Sequence, residues 1–279
     1  MAVDKLVDST QLDADLTTVA NAIRTKGGTS ADLAFPAGFV SAVQAIPSGG
    51  SGKWTDDDIA MRNYSGDIVI TVTSTVEAAF RSAREITSIT GENLVNASNS
   101  YTFAGCKGLK RVNFPMLGSL GAYAFDGCSA LEAIHLPNIG GVNGWAFQNC
   151  TSLETAVFPK NGGPTTRSFA GCTSLRAVDF GTGCTSLGNN NTFANDSILN
   201  VIILRRISAV VTCGNINIFT GTPFASGGSG GTLYVPFALI ASYQAATNWS
   251  TILGYANNQI LPIEGSPYET AYADGTPIT

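Results

Sequence analysis

Residues 103–115 read FAGCKGLKRVNFP, and closely similar runs follow at 125–137 (FDGCSALEAIHLP) and at 147–159 (FQNCTSLETAVFP). Two more copies begin at residues 169 and 193, so the leading phenylalanines are spaced 22, 22, 22 and 24 residues apart. A fixed period of this length is typical of repeat proteins, in which each unit stacks on the next. The leading residues are Phe103, Phe125, Phe147, Phe169 and Phe193.

Five positions of the unit carry the same kind of residue. A cysteine lies three residues after the phenylalanine in the first four units, and Asp196 replaces it in the fifth. Apolar residues follow at positions six, nine and eleven. The last two lie on the same, inward side of a short strand, and a proline then ends the strand in three units. We expect the departures at Ala156, Gly181 and Asp196 to make the last turns less regular.

The unit F-x-x-C-x-x-L-x-x-[VI]-x-[FL]-P resembles the BspA-like leucine-rich repeat of bacterial surface antigens. The resemblance covers about residues 80–204 and includes an incomplete first copy, in which Phe80, Ile86 and Ile89 match the repeat. It implies a β-solenoid that serves adhesion to proteins or glycans and carries no catalytic residues. The fold class predicted for the chain is mainly β: a leucine-rich-repeat β-solenoid of about six turns, with a small N-terminal helical module and a C-terminal strand–helix–strand cap.

The first 46 residues predict a helical module. An apolar stripe at helical spacing begins at Leu12, and a second short helix is expected to begin near Pro36. Two small helices bury too little surface to be stable alone, so they are expected to pack on each other, on other copies or on a larger partner. The residues predicted for oligomer or virion attachment are Leu12, Leu16, Val19, Ile23, Phe35, Phe39 and Val43.

The runs ANAIRTKGGTS at 20–30 and AFPAGF at 34–39 resemble the N-terminal module of tail, baseplate and fibre proteins from phages of Gram-positive bacteria. This resemblance implies attachment to other virion proteins and a homo-oligomer, with a trimer as the expected state. Residues 1–30 lack a basic start followed by an apolar run, so no signal peptide is expected. The implied location is the virion, assembled in the host cytoplasm.

The C-terminal part predicts a cap that closes the solenoid. We expect a strand at 233–235, a helix from Pro236 to about Trp249, and a last strand at 259–263. The apolar residues of this helix, among them Phe237, are expected to pack inward. The last residues are expected to be extended or to pack on a neighbouring copy. The predicted domains are 1–46 (attachment module), 47–53 (linker), 54–232 (solenoid), 233–265 (cap) and 266–279 (tail).

Composition argues against several classes of function. Charged residues make up 13% of the chain, the net charge is −5, and no run of lysine or arginine occurs, so neither nucleic acid nor an anionic membrane is an expected partner. No apolar run approaches the ~20 residues that span a bilayer, so no membrane insertion is expected. A single histidine and no C-x-x-C pair predict no metal site, and no cofactor motif is present. The repeated cysteines are expected to be buried free thiols, and we predict no enzymatic activity.

Charged residues lie just before the predicted strand in the first four units and form a column. Cross-strand charge pairs of this kind usually belong to a solvated surface, and the alternative is a stripe that contacts a partner. His135 alternates with inward residues and is expected to point into solvent. The possible partner-contact residues are Lys110, Arg111, Asn113, Glu132, His135, Glu154, Arg176 and Asp179.

These observations predict a phage virion structural protein, as a tail-fibre, baseplate or decoration component. Its solenoid would bind a host surface protein or glycan through many weak contacts, multiplied by copy number. The alternative prediction is a bacterial cell-surface adhesin with the same type of repeat.

Overall fold

The computed structural model describes residues 65–75, 78–160, 163–255 and 257–270. The predicted helical module and linker lie outside the described residues, as do all the attachment residues from Leu12 to Val43.

Parallel strands from successive turns stack along one side of a β-solenoid. Within the described ranges, they form a three-stranded sheet in the order β1-β2-β4 and a six-stranded sheet that runs from β6 to β11, while β3 pairs with β5 on a second side. The solenoid has about 8 turns, against the six predicted, because further turns precede and follow the recognised repeats. The strands are β1 (Ser65–Val69), β2 (Glu85–Thr90), β3 (Asn96–Ala97), β4 (Arg111–Asn113), β5 (Ser119–Leu120), β6 (Ala133–His135), β7 (Thr155–Phe158), β8 (Ala177–Phe180), β9 (Val201–Leu204), β10 (Thr232–Val235) and β11 (Gln259–Pro262).

The register places equivalent positions of the repeat side by side. Ile134 lies beside Ala156, Ala156 beside Val178, and Val178 beside Ile202. All four side chains are buried. The stacking of like residues that the sequence predicted is therefore confirmed.

The irregularity expected of the last turns is wrong for their strands. The six-stranded ladder passes through the units of Ala156 and Gly181 without a break, and the sheet is interrupted earlier, between β4 and β6. Gly181 suits its place because a Cβ there would lie 1.7 Å from the carbonyl oxygen of Pro159. Glycine occupies position 181 because two turns approach closely there, and its presence does not mark a breakdown of the repeat.

A continuous stack of phenylalanine rings fills the core. Neighbouring ring centroids lie 4.9 to 5.6 Å apart, with interplanar angles of 6° to 16°. Offset stacking of this kind adds about 0.5–1.5 kcal/mol per pair beyond burial. The stacked rings belong to Phe80, Phe103, Phe125, Phe147, Phe169, Phe193 and Phe219.

Each phenylalanine of the stack from Phe80 to Phe193 lies in a turn whose flanking residues have left-handed backbone conformations. Tyr123 (φ 57°) and Gly127 (φ 70°), for example, lie two residues before and two after Phe125. The N–H of Phe125 donates to the carbonyl of Ala146 in the next turn, at 2.7 Å. We call the side of the solenoid formed by these five-residue segments the turn face.

Phe219 marks a turn that sequence reasoning missed. Phe219 follows Phe193 by 26 residues, and the residues three, six, nine and eleven positions after it (Thr222, Ala225, Gly228 and Gly230) do not match the repeat. The overlooked signal is a glycine or asparagine two residues after each stacked phenylalanine from Phe103 onward, here Gly221 with φ 75°. A small residue or asparagine is favoured there because the left-handed region suits few other residues.

The repeated cysteines form a single file of buried thiols, as predicted. Each Sγ–H donates to the carbonyl of the preceding turn's phenylalanine, at 3.0 to 3.2 Å. Cys184 and Cys213 are also buried and free, and burial raises the pKa of both to about 12. The thiols therefore act as small core residues. The file comprises Cys106, Cys128, Cys150 and Cys172.

Asp196 takes the cysteine position in the fifth repeat and is fully buried. Its Oδ1 accepts the N–H of Cys172 at 2.8 Å. Burial raises the pKa of this carboxyl well above its usual value, and the hydrogen bond from the Cys172 N–H opposes the rise only in part. The folded chain therefore holds the proton on Asp196 more tightly than the unfolded chain does. This tighter proton binding stabilises the fold fully below about pH 4, and the stabilisation is lost as the pH rises through the raised pKa.

The Asp196→Asn variant is expected to lose this pH dependence, because an amide cannot release a proton. Denaturant unfolding at several pH values should show that the stability of the variant, relative to the unchanged chain, increases from acidic to neutral pH. Two parallel pH profiles would contradict a protonated Asp196.

The cap differs from the single predicted helix. It contains two short helices, α1 (Ile240–Ala245) and α2 (Trp249–Leu253), after a 3-10 turn at Phe237–Leu239; another 3-10 turn spans Ile216–Phe219. The chain turns between the helices at Asn248 (φ 67°), whose Nδ2 donates to the carbonyl of Cys213 at 2.6 Å. This turn buries the Trp249 ring against the last turns of the solenoid.

Two aromatic residues of the cap pack as expected and one does not. Tyr243 and Trp249 are buried. The Trp249 Nε1 donates to the carbonyl of Val211, and the Tyr243 hydroxyl accepts a hydrogen bond from the N–H of Val211. Phe237 is 70% exposed, so its predicted inward packing is wrong. It lies at the start of the cap, before the chain turns toward the core.

Candidate functional site

The outward side of the strand stack, which we call the strand face, is open near its N-terminal end. A groove of about 560 Å³ runs along β2 and β4 there. Its polar lining includes three predicted contact residues, Lys110, Arg111 and Asn113. All three are exposed.

A fixed carboxylate lies on the same groove. Asp67 accepts hydrogen bonds from the hydroxyls of Ser88 and Thr87, at 2.6 and 3.0 Å. These bonds lower the pKa of Asp67 below its usual value, so the group stays ionised at neutral pH. The groove therefore presents two cations and one oriented anion, which suits a polar or charged partner surface.

The charged column predicted from the repeat is present. The backbone N–H of each residue in the column donates to the carbonyl of the residue one turn earlier. The N–H groups of Glu132, Glu154 and Arg176 donate to Lys110, Glu132 and Glu154, at 3.1, 2.8 and 2.9 Å. All of these side chains are exposed. Arg176 also forms an ion pair with Glu154. The column extends the charged surface away from the Lys110 end, and its contact with a partner stays a prediction.

Asp179 does not belong to the contact surface, contrary to the prediction. Its side chain is 1% exposed and pairs with Arg205. The guanidinium holds the carboxylate through two nitrogens, with Nε–Oδ1 at 2.9 Å and Nη2–Oδ2 at 2.7 Å. Arg205 Nη2 also donates to the carbonyl of Tyr268, at 2.8 Å.

Residues 263–270 cover the strand face around this ion pair. Ile263 packs on Val157 and Ile203, and the Tyr268 ring lies edge-on to the Tyr234 ring at 4.7 Å. The described part of the tail therefore packs on its own sheet, so the expected extended tail is wrong up to residue 270, whereas packing on a neighbouring copy stays a prediction. The available signal was the apolar character of the outward position at Val157 and Ile203, where earlier units carry polar residues.

His135 lies at the border between the open and covered parts. It is half-buried, with its Nε2 atom buried, and is paired in register with Val157. The predicted outward direction is consistent with this register, but the predicted full exposure is wrong. The apolar neighbour on β7 accounts for the difference.

The described ranges contain no group of three His, Cys, Asp or Glu residues that could hold a metal ion. Within the same ranges, no helix has the length and apolar character needed to cross a membrane.

Comparison with known proteins identifies the type of repeat. Residues 100–214 match the family described as BspA type leucine rich repeat region, in 6 copies. No curated protein matches the chain.

Three solved structures are similar to parts of this chain. A leucine-rich repeat protein from T. pallidum is 17% identical, with a TM-score of 0.45 over 61% of this chain and 84% of its own. One from Bacteroides ovatus is 18% identical, with a TM-score of 0.34 over 69% and 58%. A leucine-rich cell surface protein from Faecalibacterium prausnitzii is 14% identical, with a TM-score of 0.24 over 84% and 90%. The part of the chain that matches the BspA type of leucine-rich repeat, residues 100–214, thus carries the stacked register and most of the phenylalanine stack.

Proposed function

We propose that the chain is a bacteriophage virion structural protein, as a tail-fibre, baseplate or decoration component, whose solenoid is a non-catalytic adhesion surface for a host surface protein or glycan. The observation that carries the adhesive role is the open strand-face groove with Lys110, Arg111 and Asn113 on its lining. Arg111 and Asn113 belong to β4 and Lys110 directly precedes it, so the partner meets a surface ordered by the strand stack.

The sequence of the N-terminal module supports attachment to a virion. The runs at 20–30 and 34–39 carry its resemblance to phage tail, baseplate and fibre proteins. The six buried free cysteines favour assembly in a reducing compartment, since oxidising compartments favour disulfides. A homo-oligomer, with a trimer as the proposed state, would multiply weak contacts into useful avidity.

A bacterial cell-surface adhesin is the second candidate. The match of residues 100–214 to the BspA type of repeat favours this function as much as the first. Labelled antibody against the chain distinguishes them. Labelling of purified phage particles supports the virion protein, whereas labelling of the bacterial surface with unlabelled particles supports the adhesin.

Charge reversal in the groove tests the binding surface. The double variant Lys110→Glu/Arg111→Glu is expected to weaken binding of the purified chain to host cells by about tenfold or more, because both substitutions replace attraction by repulsion. The measurement is a cell-binding assay with fluorescently labelled protein. Lys107→Glu is the matched control, since Lys107 is exposed and does not lie on the groove. Equal binding by both variants would contradict the proposed surface.

A further inference from the structure

A second groove lies on the turn face, away from the strands. It has a volume of about 210 Å³ and crosses successive turns. Its lining includes the small residues Ala170, Gly171 and Ala194. A Cβ at Gly171 would lie 2.8 Å from Asn149 Oδ1, and the residue has φ +81°, so a larger side chain there is disfavoured. Small residues therefore keep the groove open.

Polar side chains make up the rest of the lining. Amides both donate and accept hydrogen bonds, which suits ligands with many hydroxyl groups. Small-molecule pockets are in general lined mainly by hydrophobic and aromatic side chains with a few polar groups, whereas most of this lining is polar. The polar lining residues are Gln148, Asn149, Arg167, Asn191, Asn195 and Thr220.

Arg167 gives the groove its charge. It is exposed, and among the described residues it forms no salt bridge. A guanidinium binds a carboxylate through two parallel hydrogen bonds, a geometry that a hydroxyl group does not offer. This residue therefore favours an acidic ligand over a neutral one.

A column of aromatic side chains, each two residues before a core phenylalanine, runs along the turn face and ends where this groove begins. The rings of Tyr101, Tyr123 and Trp145 stack on one another at 4.7 and 4.9 Å, and the Arg81 guanidinium lies 4.9 Å from the centre of the Tyr101 ring. Both faces of the Tyr123 ring are filled in this way and are not free to stack on sugars. The next member of the column is Arg167, so the turn face changes from ring stacking to polar groups at this point.

We propose that this groove binds a saccharide unit that carries a carboxylate, with Arg167 holding the carboxylate and the amides holding hydroxyl groups. The volume suits a single sugar unit rather than a long chain. The site is separate from the strand-face groove, so it adds a second ligand contact and does not depend on the proposed function.

Titration of the full chain with methyl β-glucuronide and with methyl β-glucoside, followed by NMR, tests the proposal. The glucuronide is expected to bind about tenfold more tightly, because a hydrogen bond between charged groups outweighs a neutral one. Arg167→Asn is expected to remove this preference. Asparagine occupies the same column at Asn191 and tolerates the left-handed conformation, so the variant should stay folded.

Two control variants show whether the preference for the glucuronide arises at this groove. Arg176→Asn removes an exposed arginine on the strand side and should leave the preference unchanged. Lys110→Glu/Arg111→Glu should also leave it unchanged, which keeps a failure here distinct from a failure of the strand-face surface. Equal affinity for the two sugars, or an undiminished preference in Arg167→Asn, would overturn the proposal.

Discussion

The substitution Phe147→Ala is expected to lower the free energy of unfolding by about 3–5 kcal/mol, as is typical for truncation of a buried phenylalanine. The Phe147 ring is fully buried and stacks on Phe125 at 5.3 Å and on Phe169 at 5.4 Å. It also contacts Phe158 at 6.1 Å. Its removal opens a cavity in the middle of the stack, which neighbouring rings fixed by their own turns cannot fill.

Urea denaturation measures this loss, and Phe237→Ala is its control. Phe237 is a phenylalanine with 70% exposure, so its truncation is expected to change stability by less than about 0.5 kcal/mol. A similar small loss for Phe147→Ala would show that the ring stack does not support the solenoid.

Arg205→Ala is expected to lower the free energy of unfolding by about 3–5 kcal/mol at pH 7, because it leaves the carboxylate of Asp179 buried without its partner. In the intact chain, burial raises the pKa of Asp179, and the hydrogen bonds and charge of Arg205 partly offset the rise. Without Arg205 the pKa rises further. Protonation then relieves the penalty below that pKa, so the loss of stability should shrink toward pH 4.

The exposed pair of Arg176 with Glu154 provides the comparison for this experiment. Its two side chains are 57% and 53% exposed. Arg176→Ala is therefore expected to cost less than about 1 kcal/mol, with little change between pH 7 and pH 4. Limited proteolysis should also cut the Arg205→Ala variant sooner after residue 263, since Arg205 binds the carbonyl of Tyr268. Equal behaviour of the two arginine variants would contradict a structural role for the buried pair.

The stacked part of the fold follows from the sequence because its contacts join like positions of neighbouring units. Once Cys128 is aligned with Cys150, the period predicts both the file of thiols and the register of the strands. The same reasoning predicted the column that contains Glu132 and Glu154. These contacts follow from the period alone, since each contact between two units is repeated between the next two.

The remaining features depend on contacts that do not repeat. Arg205 and Tyr268 are separated by 63 residues, and no period relates them, so the burial of Asp179 was missed. The turn at Asn248 divides the predicted helix because its amide binds a carbonyl of the solenoid. Aromatic stacking on the turn face was also missed, since Trp145 lies outside the positions that define the repeat.

The matched ends of each coil give the molecule a way to change length. Tyr123 and Trp145, which lie two residues before Phe125 and Phe147, have nearly the same φ, 57° and 59°. A tandem duplication of residues 125–146 would therefore insert one complete coil in which each inward residue packs on equivalent residues of its neighbours. The solenoid would grow by about 4.8 Å per added coil. Recombination between copies can therefore alter the reach of this protein in whole steps without a redesigned interior.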